Sequence, residues 1–423
     1  MALSELQKRV VERIDANELV ALATAMGNVT APAGCEQAMA DFVLDWLKSN
    51  GFAHSFQQNV APGRSNTIGI LKGSGEGKRL IFNSHMDTDE GQPDRPGLPL
   101  PPGPKCWTEG SRVYGRTVQN DRGPMAAFML ATKAIRDSGV PLAGNIIMTM
   151  VVGEIGQAPV DEFQGPYYIG KGLGSRHAVT HGVSGDYALV AETTAFGVTW
   201  VEAGAAYFKV SIPGRTVYTP KLPKRGQTAG EAPSALLRMI PVIQAIEQWG
   251  AQYEERYTKK YDAGTMIPKV SINAIRAGQP FKPCITPNSC SIYVDVRVPP
   301  FLEFGQVEKE LRDVVLSQGL GGEVQLFMAK KGYEGRNVEP LVQAIRASHR
   351  AVRGTDCPPM PAPETSMWRD VNIFNEVGIP AATFGFTRTT PPKGTDYCEV
   401  ADLVDCAKMY ALVALEITKG VNA

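Results

Sequence analysis

The chain lacks the features that mark a partner for nucleic acid, a membrane span or a disulfide scaffold. Its 43 Lys and Arg are balanced by 43 Asp and Glu, and no basic run creates a field that would draw a polyanion. No apolar stretch approaches the roughly 20 residues of a membrane-spanning helix. The N-terminus, Met1 to Asn17, is charged and helix-patterned and carries no signal-peptide core. The seven cysteines are odd in number, scattered and without a Cys-x-x-Cys pair. That excludes a zinc ribbon and predicts reduced thiols in a cytoplasm. Histidine is scarce, with five residues at 54, 85, 177, 181 and 349. There is no internal repeat and no low-complexity tail.

What is present is ordinary material for a globular protein. Hydrophobic residues make up 43% and charged residues 20% of 423 positions, enough for two domains with sizeable cores. Leu80-Ile81-Phe82 is a short apolar run of the kind that becomes a buried strand, and it breaks into Asn83-Ser84-His85-Met86-Asp87. A His and an Asp two apart on an extended segment face the same side. A carboxylate so placed can hydrogen-bond the imidazole, fix its tautomer and make it a better metal ligand.

The same design recurs. Asn145 to Val152 is continuously apolar and ends in Gly153-Glu154, while Asp186 to Val190 ends in Ala191-Glu192. Asp121 lies in a turn just before a helix that starts at Pro124, where it could also cap that helix. Ligand sites of open α/β sheets lie at the C-terminal ends of the strands, which is where His85, Glu154 and Glu192 fall. From about 205 the pattern changes to strand–helix–strand–strand–helix–strand, the order of a small α+β insert. Helix–strand alternation resumes near Gly332. The fold class expected is α/β: a layered catalytic domain with a mixed sheet, formed by 1–204 and 326–423, and an inserted α+β domain over 205–325.

Six pieces in order resemble the di-zinc amidohydrolase family of aminoacylase, acetylornithine deacetylase and the glutamate carboxypeptidases. They are His85-x-Asp87, the Tyr114-Gly115-Arg116…Asp121-x-Gly123 stretch, Glu154-Ile155-Gly156, the Asp186…Glu192 pair, Asp295-Val296-Arg297, and Gly378 to Pro380. The resemblance covers nearly the whole chain. It implies that the insert is a lid or dimerisation domain and that the protein is a homo-oligomer. It implies that His85 and Glu192 hold one metal, that Asp121 bridges, that Glu154 belongs to the other metal, and that Asp87 orients His85.

The chain departs from that family at four places. The general-base position before Glu154 is Gly153. No histidine follows 349, so the imidazole expected before Asp396-Tyr397 is missing. The insert's carbonyl-polarising His is replaced by Tyr218, and the Asn that assists it by Cys284. The set that remains, His85, Asp121 and Glu192, suits one divalent ion per chain (Mn, Fe or Zn) with open positions. Amide cleavage needs a proton for a poor leaving group, and the groups that deliver it are gone.

The expected activity is therefore hydrolysis of an activated C–N bond, most simply removal of the amino group from an aromatic amine that also bears a carboxylate. The ring itself would accept the charge. Asp87, Tyr218 and Glu154 are the catalytic candidates, and Arg215, Arg297 or Arg388 would hold the carboxylate. An amidase or deacylase whose base comes from Glu90 or Glu364 is the alternative, and a binding protein on a decayed scaffold is the third. The expected partner is a small molecule, with no role for nucleic acid or membrane. Asp370 reads equally as a helix cap and as a site residue, and the other four histidines as surface or satisfied side chains.

Overall fold

The computed structural model describes residues 3–89, 105–224 and 228–420. Glu90 and most of the Pro/Gly-rich loop that follows lie outside them. The chain divides into two compact units: Met1–Val201 with Glu334–Glu364 and Arg369–Ala423, and Glu202–Tyr333 with Thr365–Trp368.

The first unit is built on a seven-stranded mixed sheet. In chain order its strands are β1 (His54–Ala61), β2 (Arg64–Leu71), β3 (Leu80–His85), β4 (Ile146–Val151), β5 (Tyr187–Ala191), β6 (Val198–Thr199) and β7 (Ala381–Phe384). In space they run β1-β2-β4-β3-β5-β7-β6. The four central strands are parallel, with His85 opposite Val151 and Leu80 opposite Tyr187. Antiparallel strands flank them on both sides. Parallel pairing in this register brings the C-terminal ends of β3, β4 and β5 to one edge of the sheet.

These strands are apolar on both faces because helices cover both faces. Along β3, Leu80 and Phe82 point into the larger core, with Phe128 of the helix Gly123–Ser138 and Tyr410 of the helix Val400–Ile417. Ile81 points the other way, into a smaller core with Val371 and Phe374 of the helix Val371–Glu376. The Phe82 and Phe128 rings stack at 5.4 Å. Period-two alternation thus fills two layers from one strand. The N-terminal helical stretch is two helices, Glu5–Val11 and Ala16–Asn28, because Ser4 and Asp15 each cap a new start.

The second unit is an antiparallel sheet in the order 270–277, 289–298, 204–213, 323–330. The helices Ala235–Tyr257 and Phe304–Leu316 pack on it. Phe208, Val210 and Val242 share its core. A hairpin, Lys259–Tyr261 with Gly264–Met266, is added to the expected order.

Candidate metal centre

Each apolar strand stops where a polar side chain is wanted. His85 is the last residue of β3, Glu192 follows β5 directly, and Glu154 stands three residues after β4. Asp121 comes from the turn ahead of the helix Gly123–Ser138, where Asn120 and Asp121 leave helical geometry. Asp121 caps nothing: the helix has no side-chain cap. Its carboxylate is instead held by the Ser84 hydroxyl, which also donates to the Asp121 carbonyl at 3.1 Å.

One ligand atom each from His85, Asp121 and Glu192 lies within 4.8 Å of the others, and all three residues are buried. Among the described residues, His85 Nε2 and Asp121 Oδ1 are buried without a hydrogen-bond partner. Such atoms cost free energy unless something binds them. His85 Nδ1 donates to the main-chain carbonyl of Asp87 at 2.9 Å, which leaves the Nε2 lone pair facing the two carboxylates. An imidazole nitrogen and two carboxylate oxygens converging on one buried point fit a divalent cation.

The orienting role expected of Asp87 takes a different form here. Its carbonyl makes the short contact to His85, while carboxylate Oδ1 is 3.5 Å from Nδ1. The carboxylate accepts from the main-chain N–H groups of Glu154, at 3.1 Å, and Ile155, at 2.7 Å. Asp87 thereby ties the end of β3 to the segment after β4. Burial opposes its charge, but His85 and these two N–H groups prevail and lower its pKa to about 2.

Charge is crowded around the imidazole. Glu154 Oε2 and Glu192 Oε1 are each 3.9 Å from His85 Nε2. Burial pushes the His85 pKa down, yet Asp87, Asp121 and Glu154 raise it well above the ordinary histidine value. Burial and the Glu192 charge raise Asp121 well above the carboxylate range. Glu192 is raised chiefly by burial, against the pull of the Arg369 guanidinium, 3.5 Å away. A metal ion replaces the protons that these shifts would otherwise retain.

Two residues here, Arg369 and Lys171, carried no site reading in the sequence. Arg369 links Glu192 to Glu364, whose carboxylate and carbonyl both accept from it. Asp370 stands at the N-cap position of a short helix but makes no capping bond. It accepts from Ser175 at 2.8 Å, and burial and the Glu154 charge raise its pKa to about 8. The structure thus rules out the capping role for Asp370. Lys171, with Nζ 3.9 Å from Glu154 Oε1, also joins the cluster.

The remaining candidates have the following surroundings. Arg388 donates to Asp396 at 2.5 Å, and Arg297 to Asp295 at 2.9 Å. Tyr218, 52% exposed, Arg215 and Cys284 belong to the second unit, as does Arg297. His349 is buried against Phe196 with Nδ1 donating to the Thr355 carbonyl. His177 and His181 stack on each other at 3.8 Å. No helix among the described residues is long and apolar enough to cross a membrane.

Comparison with known proteins agrees with this geometry. The chain is 28% identical over 329 residues to a Pyrobaculum aerophilum protein provisionally named a LysW-lysine/LysW-ornithine hydrolase, covering 77% of this chain and 75% of that one. It is 29% identical over 195 residues to N-formyl-4-amino-5-aminomethyl-2-methylpyrimidine deformylase of Bacillus subtilis, covering 45% of this chain and 41% of that enzyme. The crystal structure of a Staphylococcus aureus tripeptidase superposes with a TM-score of 0.68 over 96% of this chain and 99% of that one, at 15% identity. At that identity the likeness is one of fold. The sequence profile of peptidase family M20/M25/M40 matches residues 81–416, a span that holds every ligand described above. The chain belongs to that family, as a metal-dependent hydrolase acting on C–N bonds.

Proposed function

We propose that the protein is an aminohydrolase that uses one divalent ion per chain to replace the amino group of an activated aromatic amine by hydroxyl, releasing ammonia. The substrate best suited to this chemistry is 5-nitroanthranilate. The observation that carries the reading is the packing at Gly153, the position of the general base in the di-zinc enzymes that the sequence resembles. Its φ is +69°, and a Cβ there would lie 2.7 Å from Arg64 Nη2 and 3.0 Å from Leu173 Cβ. Arg64 is fully buried, paired with Glu36 and donating to the carbonyls of Pro166 and Ile169. A carboxylate at 153 would dislodge that pair. This packing supports a site that works without the peptide-cleaving base, and no histidine follows His349 to hold a second ion.

His85, Asp121 and Glu192 would hold a divalent ion, which would supply a water polarised enough to act as nucleophile near neutral pH. The water oxygen would add to the ring carbon, displacing an electron pair onto the nitro group. That pair would return to the ring as the C–N bond breaks, and the amino group would leave as ammonia with a proton taken from the added water. Such a substrate needs little help with its leaving group, which suits a site without the usual base. Glu154 is our candidate to carry a proton and Tyr218 to donate one. Asp87, both of whose carboxylate oxygens accept main-chain N–H groups, acts by holding His85. Arg215 is favoured for the substrate carboxylate, since among the described residues its guanidinium has no partner, whereas Arg297 and Arg388 are paired. Manganese(II), iron(II) and zinc(II) all suit the donor set. The seven free cysteines support a reducing cytoplasm as the place of work, and the family resemblance supports a homo-oligomer.

Incubation of metal-loaded protein with 5-nitroanthranilate is expected to release ammonia, and failure to do so overturns the reading. The deformylase relative favours a second reading, an amidase acting on small N-acyl compounds. Turnover of N-acyl amino acids that is abolished in His85→Ala would select it.

A further inference from the structure

On the side of Glu154 away from His85, the segment Gly170-Lys171-Gly172 is laid against the chain that follows β4. Lys171 and Gly172 donate through their main-chain N–H groups to the carbonyls of Glu154, at 3.2 Å, and Gly153, at 3.0 Å. Gly170 donates to Gln157 at 3.0 Å. A Cβ at Gly170 would meet the Ile155 carbonyl oxygen at 2.0 Å, so the two segments approach this closely only through glycine. Lys171 itself has φ +47°, uncommon for a residue with a side chain. The result is a lysine side chain only 9% exposed, with Nζ 3.9 Å from Glu154 Oε1. The other oxygen of that carboxylate faces His85 Nε2, also at 3.9 Å. Glu154 thus sits between the imidazole and an ammonium.

We propose that the Lys171 ammonium takes over the charge-neutralising part of a second metal ion at Glu154, and so limits the centre to a single divalent cation. The inference rests on the one-ion reading above and names the residue that enforces it. The charge beside Glu154 is its physical ground. Beside Glu154 stands the Lys171 ammonium, while Asp370, the other carboxyl in that neighbourhood, is buried with its pKa raised to about 8, and Arg369 serves both Glu192 and Glu364. A second ion at Glu154 would stand against the Lys171 ammonium in a buried site, where like charges are costly. Removing the ammonium leaves Glu154 short of a counter-charge and reopens the position to a cation.

The test is the metal content of the full-length chain after equilibrium dialysis against manganese(II), for wild type, Lys171→Gln, Lys171→Arg and the double variant Lys171→Gln/Glu154→Gln. The expected result is a single ion in wild type and Lys171→Arg, a second and weaker ion in Lys171→Gln, and its loss again in the double variant. Lys171→Met, of similar length, replaces Lys171→Gln should that protein not fold. A neutral variant that keeps the wild-type single ion overturns the role of Lys171 and leaves the one-ion reading standing. Two ions in the wild type would overturn both.

Discussion

On the Asp121 side of His85, buried ligand atoms are left without partners, whereas on the Glu154 side the carboxylate already has a cation beside it. His85 Nε2 and Asp121 Oδ1 have no hydrogen bond among the described residues, and Glu192 completes their triangle. Glu154, at a similar distance from the same imidazole, faces Lys171 and shares its neighbourhood with Asp370. One sheet edge thus carries a cradle shaped for an ion next to a carboxylate that has an ammonium beside it. The difference teaches that carboxylates near an imidazole do not by themselves make a second metal position. What decides is convergence: ligand atoms of His85, Asp121 and Glu192 lie within 4.8 Å of one another, and Arg369 beside Glu192 does not prevent it.

The largest effect that could break this comparison is loss of the cradle. His85→Ala and Asp121→Ala are expected to abolish both metal retention and turnover, while Glu154→Gln keeps its ion, as elemental analysis after dialysis would record. Next comes Asp87→Asn, which weakens the grip on His85 and on the segment after β4. A fall of about 10–100-fold in metal affinity is expected, the range for partners that orient a metal ligand, and calorimetric titration would measure it.

Gly153→Ala probes the packing on which the lost base depends. It should destabilise the protein by about 1–3 kcal/mol through its backbone conformation alone, and more through the clash with Arg64, as denaturant unfolding would record. An unchanged midpoint would mean that the position has room for a side chain.

The smallest effect is one of pH. In the metal-free protein His85 and Asp121 both have raised pKa values, so protons must leave as the ion enters. Apparent metal affinity should therefore fall as pH falls, with proton release visible as a buffer-dependent heat of binding. The stability of the metal-free protein changes with pH through several groups, of which His85 and Asp87 act in opposite directions. Raised His85 contributes stability that is fully present below about pH 6.5 and lost as pH rises through its higher folded value. Lowered Asp87 contributes stability that is present above pH 3.8 and lost as pH falls towards about 2.

Much of this site was legible in the sequence because its ligands end apolar runs. A strand such as β3, buried at all six positions, has a strong signature, and the polar residue where it stops has few explanations. The same logic could not reach Lys171, Arg369 or the part played by Asp370. Lys171 enters through a main-chain turn enclosed by glycines, and Arg369 and Asp370 come from a loop roughly 180 residues beyond Glu192 in the chain. No local pattern encodes such a meeting. Asp121 was found as a position but also read as a cap, since an Asp before a helix commonly is one. Strand β1, with no buried position along its length, and the short helix Leu173–Thr180 lacked the apolar periodicity that revealed their neighbours.

The most direct test of the account is the number of divalent ions per wild-type chain at saturation. The account predicts a single tightly held ion, lost in His85→Ala and kept in Glu154→Gln. A second ion of comparable affinity that disappears in Glu154→Gln would contradict it.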